Sequence, residues 1–239
     1  MMQFTQQQKH NMSKDAGFTI VESLVAIFVA STLILAIAPV LVLSTATRVQ
    51  SKRVELSAQA AKSFIDAVRS GRVATQSSDS IPTPYITTVG SISKTPSRSI
   101  KSDTNDYLIS STNLTTPTSP ALLYCVQSDG IILTPDCSSN PNQKNLFYIQ
   151  AGRIIVENPG PNDGYRLAVR VYRQDVDFTK TVLANTTTID NTQSVVTSGL
   201  GNRQAPILEM TADISNSNTS FTALCNRLGF IAGSTGKTC

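Results

Sequence analysis

The sequence has no tryptophan and a single histidine, His10. Paired histidines, Ser–His and Cys–His nucleophile systems and multi-histidine metal sites are therefore excluded unless His10 acts alone. Charge is scarce as well. Asp, Glu, Lys and Arg make up 15% of the 239 residues, and 20 Lys+Arg against 16 Asp+Glu leave a net charge of +4. That is far from a chain that coats nucleic acid, so nucleic acid is not an expected partner. The four cysteines form no CxxC, and no GxSxG occurs. Gly236-Lys237-Thr238 has the ending of a phosphate-binding loop, but Ile231 stands where its first glycine is required. Gly199-Leu200-Gly201 lacks the third glycine of a dinucleotide loop. No catalytic residue, cofactor or metal is expected.

What the chain has in excess is one apolar run. Residues 18–43 carry a single formal charge, Glu22, among Ile, Val, Leu, Ala and Phe. About 20 such residues cross a bilayer as a helix, and 26 at about 1.5 Å each give about 39 Å. A secretory signal has a shorter core and a small-residue cleavage site, and none precedes Ser44. The run predicts a membrane-spanning helix. An unpaired carboxylate in hydrocarbon is costly, so Glu22 should have a partner. Pro39 removes a backbone donor and should kink or loosen the helix over residues 35–39, unless it is merely tolerated, as proline often is in membranes.

The residues before the run are polar and basic, with Lys9 and Lys14, and end in Gly17. The string Gly17-Phe18-Thr19-Ile20-Val21-Glu22 resembles the cleavage and methylation motif of type IV pilins and type II secretion pseudopilins. Gly17, Phe18 and Glu22 match it position by position, and Pro39 falls where many pilins carry a helix-loosening proline. The resemblance covers about residues 9–70. It implies that a prepilin peptidase cuts after Gly17 and methylates the new amine of Phe18. It also implies that Glu22 pairs with the Phe18 amine of a neighbouring subunit in a filament. The implied partners are that peptidase, other pilins or pseudopilins, and an inner-membrane assembly platform. The run from Arg53 to Asp66 bears a fainter likeness to pseudopilins of polysaccharide secretion in gliding filamentous cyanobacteria.

Beyond the run, residues 45–70 contain no Gly or Pro. Val54, Ala61, Phe64, Ile65 and Val68 fall on one arc of a helical wheel, opposite Arg48, Lys52, Glu55, Lys62 and Asp66. This predicts one helix over residues 18–70, its second half packed on a sheet; a membrane-surface or coiled-coil helix is the alternative. Gly71 is a natural stop. In residues 74–119, Ser and Thr fill 21 of 46 positions, which predicts a loop region with short strands near residues 85–89 and 107–110. From Pro120 the pattern is β. Asp129-Gly130 between apolar runs marks a hairpin, and Ala151-Gly152 between residues 145–150 and 153–157 reads as a second. Residues 166–172 alternate, with Leu167, Val169 and Val171 on one face, and residues 206–213 are a further strand candidate. The expected fold is α+β and pilin-like, a long helix on an antiparallel sheet. Its expected divisions are a leader (1–17), a membrane or filament-core helix (18–43), an amphipathic continuation (44–71), a loop region (72–119) and a sheet domain (120–239).

Cys125, Cys137, Cys225 and Cys239 are an even set in a domain expected outside the cytoplasm, which suggests disulfides. Three pairings are possible, and the local one, Cys125–Cys137 with Cys225–Cys239, is favoured. Asn158, Asn162 and Asp163 offer calcium-type oxygens, though a plain turn is the simpler reading. Arg166, Arg170 and Arg173 are weighed as a basic patch for DNA or an anionic polymer, with Arg170 opposite the core and solvated. The expected function is that of a non-catalytic pseudopilin or minor pilin, anchored in the inner membrane by one helix with its C-terminal domain outside the cytoplasm. It would act in secretion, adhesion or motility. A major pilin and a membrane-anchored surface-binding protein are the alternatives.

Overall fold

The computed structural model describes residues 19–73, 86–92, 114–133, 137, 145–156, 160, 162–186, 189–194, 201–215, 217–221 and 223. The chain forms two compact units, Met1–Thr45 and Ala46–Cys239, and helix α1, Ile20–Arg69, contributes to both. The first unit's described part is the apolar half of α1, in which no residue from 20 to 44 is buried.

The second unit contains the rest of α1 and a six-stranded sheet. Its strands are β1 (Thr87–Ile92), β2 (Tyr124–Gln127), β3 (Ile132–Leu133), β4 (Asn145–Val156), β5 (Tyr165–Arg173) and β6 (Leu208–Ile214). The order β3-β2-β4-β5-β6 is antiparallel throughout. β1 adds to the far end of β4 in parallel, with an irregular step between Thr88 and Gly90. The fold is thus α+β with a pilin-like layout. The strand expected near 107–110 lies outside the described residues.

α1 ends because Gly71 takes a φ of 69°, which costs glycine nothing. The Gly71 amide then donates to Val68 O at 3.1 Å and the Arg72 amide to Ala67 O at 2.9 Å, closing the last turn. The helix buries Ala60, Ala61, Phe64, Ile65 and Val68 against Phe147, Ile149, Ala151, Leu167, Val169 and Val171. These are the alternate residues of β4 and β5, as the period of two requires. The Phe64 ring meets Tyr124 at 4.8 Å between centroids, tilted by 59°. Burying a side chain the size of Phe64 stabilises by about 1.5–3 kcal/mol.

Two expectations need correction. Ala151-Gly152 is not a turn but the middle of β4, which runs unbroken over 12 residues and pairs Ala151 with Val169 and Gly152 with Ala168. The pair lacks the Asn or Asp favoured before Gly in a tight hairpin turn, and Ala151 is small enough to lie buried under the helix. The reversal falls instead between β4 and β5, where Gly164 has a φ of 69°. The Asp129-Gly130 hairpin forms as expected: Gly130 has a φ of 82°, and the Gln127 amide donates to Ile131 O at 2.9 Å.

The second correction concerns the face of the sheet away from α1. It is not solvated. Leu114 covers Ala168, Cys137 packs on Leu123 and Cys125, and Val176 and Val182 pack on Tyr172. Arg170 lies beneath this cover, with no exposed surface.

Candidate functional site: the apolar helix and its acid

Thr19 opens α1. Its side-chain oxygen accepts from the Glu22 amide at 3.2 Å, and its carbonyl accepts from the Ser23 amide at 3.1 Å. Thr19 thereby satisfies two helix groups that would otherwise lack partners. Glu22 sits in the first turn, where the backbone dipole favours a carboxylate. Four hydroxyls along this half turn inward on their own backbone. Ser23 donates to Ile20 O at 2.8 Å, Ser31 to Ile27 O at 2.6 Å, Thr32 to Val29 O at 2.9 Å and Thr45 to Val42 O at 2.9 Å. Water-free surroundings tolerate hydroxyls only when they are bonded in this way. Glu22 is left as the one ionisable group on a surface of Leu, Ile, Val and Phe, of which Leu35 is 75% exposed. α1 runs through Pro39, whose ring supplies no amide for the Leu35 carbonyl.

This surface is long and apolar enough to cross a membrane. Residues 12–38 match the model of the prokaryotic N-terminal methylation motif. The chain carries the prepilin motif of type IV pilins and pseudopilins. No curated protein and no solved structure matches. A prepilin motif on an apolar N-terminal helix supports anchoring by that single helix, and it implies processing by prepilin peptidase and assembly with other pilins.

Of the residues singled out from the sequence, Glu22 and Pro39 lie on the first half of α1. Gly17 and Phe18 lie outside the described residues, as do Cys225 and Cys239. Cys125 and Cys137 are joined in a disulfide, with Cα atoms 5.7 Å apart, and tie β2 to the chain after β3. Asn158 lies outside the described residues, and the Asp163 carboxylate accepts from the Gly160 amide at 2.7 Å, as in an ordinary turn. No group of three metal-ligating side chains occurs among the described residues.

The three arginines of β5 do not make an open basic patch. Each has an acidic partner: Arg166 with Asp213 at 3.3 Å, Arg170 with Glu209 at 2.7 Å and Arg173 with Asp175. Arg170 also donates to Leu114 O and to Gln150 Oε1, both at 2.9 Å, while the Asn185 amide donates to Glu209 Oε1 at 3.2 Å. One side chain therefore ties together β4, β5, β6 and the loop that covers them. The pairing was legible in part: Arg166 and Arg170 alternate with the core residues of β5, as Glu209 and Asp213 do on β6, but only the strand pairing reveals which meets which.

A second polar cluster gave no sequence signal. Gln50 is buried on α1 and donates to Gln193 Oε1 at 3.1 Å, and Gln193 donates in turn to Asn202 O and Ala205 O. Gly201 closes over them with a φ of 75°; a Cβ there would stand 2.8 Å from Gln193 Oε1.

Burial pushes the Tyr124 and Tyr172 phenols well up from their ordinary value. The Thr179 hydroxyl holds the Asp177 carboxylate below the usual range, and the Thr192 hydroxyl does the same for Asp190.

Proposed function

We propose that the protein is a non-catalytic pseudopilin or minor pilin of a type IV pilus or type II secretion-like filament. Prepilin peptidase removes residues 1–17 and methylates Phe18, leaving residues 18–43 as membrane anchor and later filament core. Residues 44–71 carry the amphipathic half that joins the sheet domain on the outer side of the cytoplasmic membrane. Assembly brings the Phe18 amine of one subunit to Glu22 of the next, so that each neutralises the other in a dry core. Pro39 loosens the helix for packing.

The observation that carries this reading is the exposed apolar helix with its hydroxyls silenced and one acid left at its tip, within a prepilin motif. Mass spectrometry of the N-terminus of the protein from membranes tests it. A methylated Phe18 is the expected start; a start at Met1 in functional protein refutes processing. The same features fit a major subunit. The copy number in sheared filaments decides between them.

A further inference from the structure

Between Glu22 and Glu55 the chain contains no acid and three cations, Arg48, Lys52 and Arg53. Arg53 is half-buried and already engaged. Arg48 and Lys52 are exposed, and among the described residues neither has an acidic partner. They are one turn apart and share a face of α1. Taking Arg48 as zero on a wheel of 100° per residue, Lys52 falls at about 40°, while buried Gln50, Ser57, Ala61 and Phe64 fall at about 160–220°. The sheet domain thus covers one side of the helix and leaves the two cations on the other.

Their height along the helix gives this bare pair a partner. The apolar run ends at Leu43, and Arg48 stands about 7.5 Å beyond it at about 1.5 Å per residue. A bilayer of about 40–45 Å around a core of about 30 Å has a headgroup layer of about 5–7 Å on each side. Side chains on a helix tilt toward its N-terminus, so Arg48 leans back into that layer, and Lys52, about 13.5 Å beyond Leu43, leans toward it and stays within a Debye length of about 8–10 Å of the charged surface.

We propose that Arg48 and Lys52 form a docking face for anionic phospholipid headgroups on the outer surface of the membrane, which sets the depth at which α1 sits before assembly. The inference rests on the reading of the first half of α1 as the membrane anchor. A negatively charged lipid surface favours each such cation by about fivefold.

The test is the association of spin-labelled phosphatidylglycerol, against spin-labelled phosphatidylcholine, with the full chain reconstituted in phosphatidylcholine vesicles. The wild type is expected to prefer phosphatidylglycerol about fivefold or more. Arg48→Gln/Lys52→Gln should lose that preference, and Arg69→Gln, farther along the same helix, should keep it. Equal preference in the wild type and the double variant overturns the proposal, as does equal loss in Arg69→Gln. If the double variant keeps the lipid preference but loses crosslinks between copies, the two cations serve a second copy and the proposal falls. Resistance of the wild type to carbonate extraction is measured separately; its failure would overturn the anchor reading and this inference with it.

Discussion

Arg170 lies where water does not reach, and its bonds to Glu209, Gln150 and Leu114 replace part of the lost hydration, while its Nη2 and Glu209 Oε2 have no partner among the described residues. Removing one member of such a pair leaves the other buried and uncompensated. Arg170→Ala is therefore expected to lower the unfolding free energy by about 3–5 kcal/mol. Arg173→Ala, whose partner Asp175 is half exposed, should cost less than about 1 kcal/mol. Urea unfolding of the two variants side by side measures the difference, and equal losses would contradict the role given to burial. The same scale sets the pH dependence. The folded state holds the Tyr124 and Tyr172 protons more tightly than the unfolded state does, so their contribution is complete below about pH 10 and is lost above it. Asp177 and Asp190 have lowered folded values, so their contribution is present above about pH 4 and is lost as the pH falls through those values. A stability profile flat between these limits and falling at both ends is expected, with a shallower alkaline fall in Tyr172→Phe.

At the scale of elements, the smallest strand needs the most help. β3 has two residues, Ile132 and Leu133, and among the described residues it pairs with β2 alone. The Cys125–Cys137 disulfide, spanning 12 positions, restrains this hairpin from outside the ladder. A loop of that size is worth about 3 kcal/mol in the chain-entropy account. Cys137→Ser should lower the thermal midpoint, and a reductant should lower that of the wild type by more than it lowers the variant's. With Cys125 and Cys137 joined, Cys225 and Cys239 can pair within the chain only with each other. α1 is held differently along its second half: by packing through Phe64 and Ile65, and by the Gln50–Gln193 contact nearer the first unit.

At the scale of the whole molecule, one continuous helix serves two environments. Its first half exposes apolar surface that demands lipid or like helices, and its second half supplies one wall of a closed core. A buried ion pair adds little stability but chooses a partner well, because any other alignment leaves a charge alone in a dry place. Glu22→Ala is therefore expected to leave membrane insertion intact and to impair incorporation into filaments. Carbonate extraction and immunoblots of sheared filaments measure the two outcomes, and normal incorporation would contradict the pairing.

The sequence alone determined the features that depend on neighbours along the chain. The membrane-length run, the place of Glu22 in the first helical turn, the amphipathic arc through Phe64 and the stop at Gly71 are all consequences of local periodicity and of one residue's φ. The alternation of Leu167, Val169 and Val171 likewise placed one face of β5 correctly. Only the tertiary structure decided what depends on pairing between distant segments. Ala151-Gly152 reads as a turn until β5 is laid along it, and Arg170 reads as solvated until Glu209, 39 positions away, and the loop at Leu114 close over it. Burial is a property of what covers a residue, and the cover comes from parts of the chain whose approach no local pattern encodes.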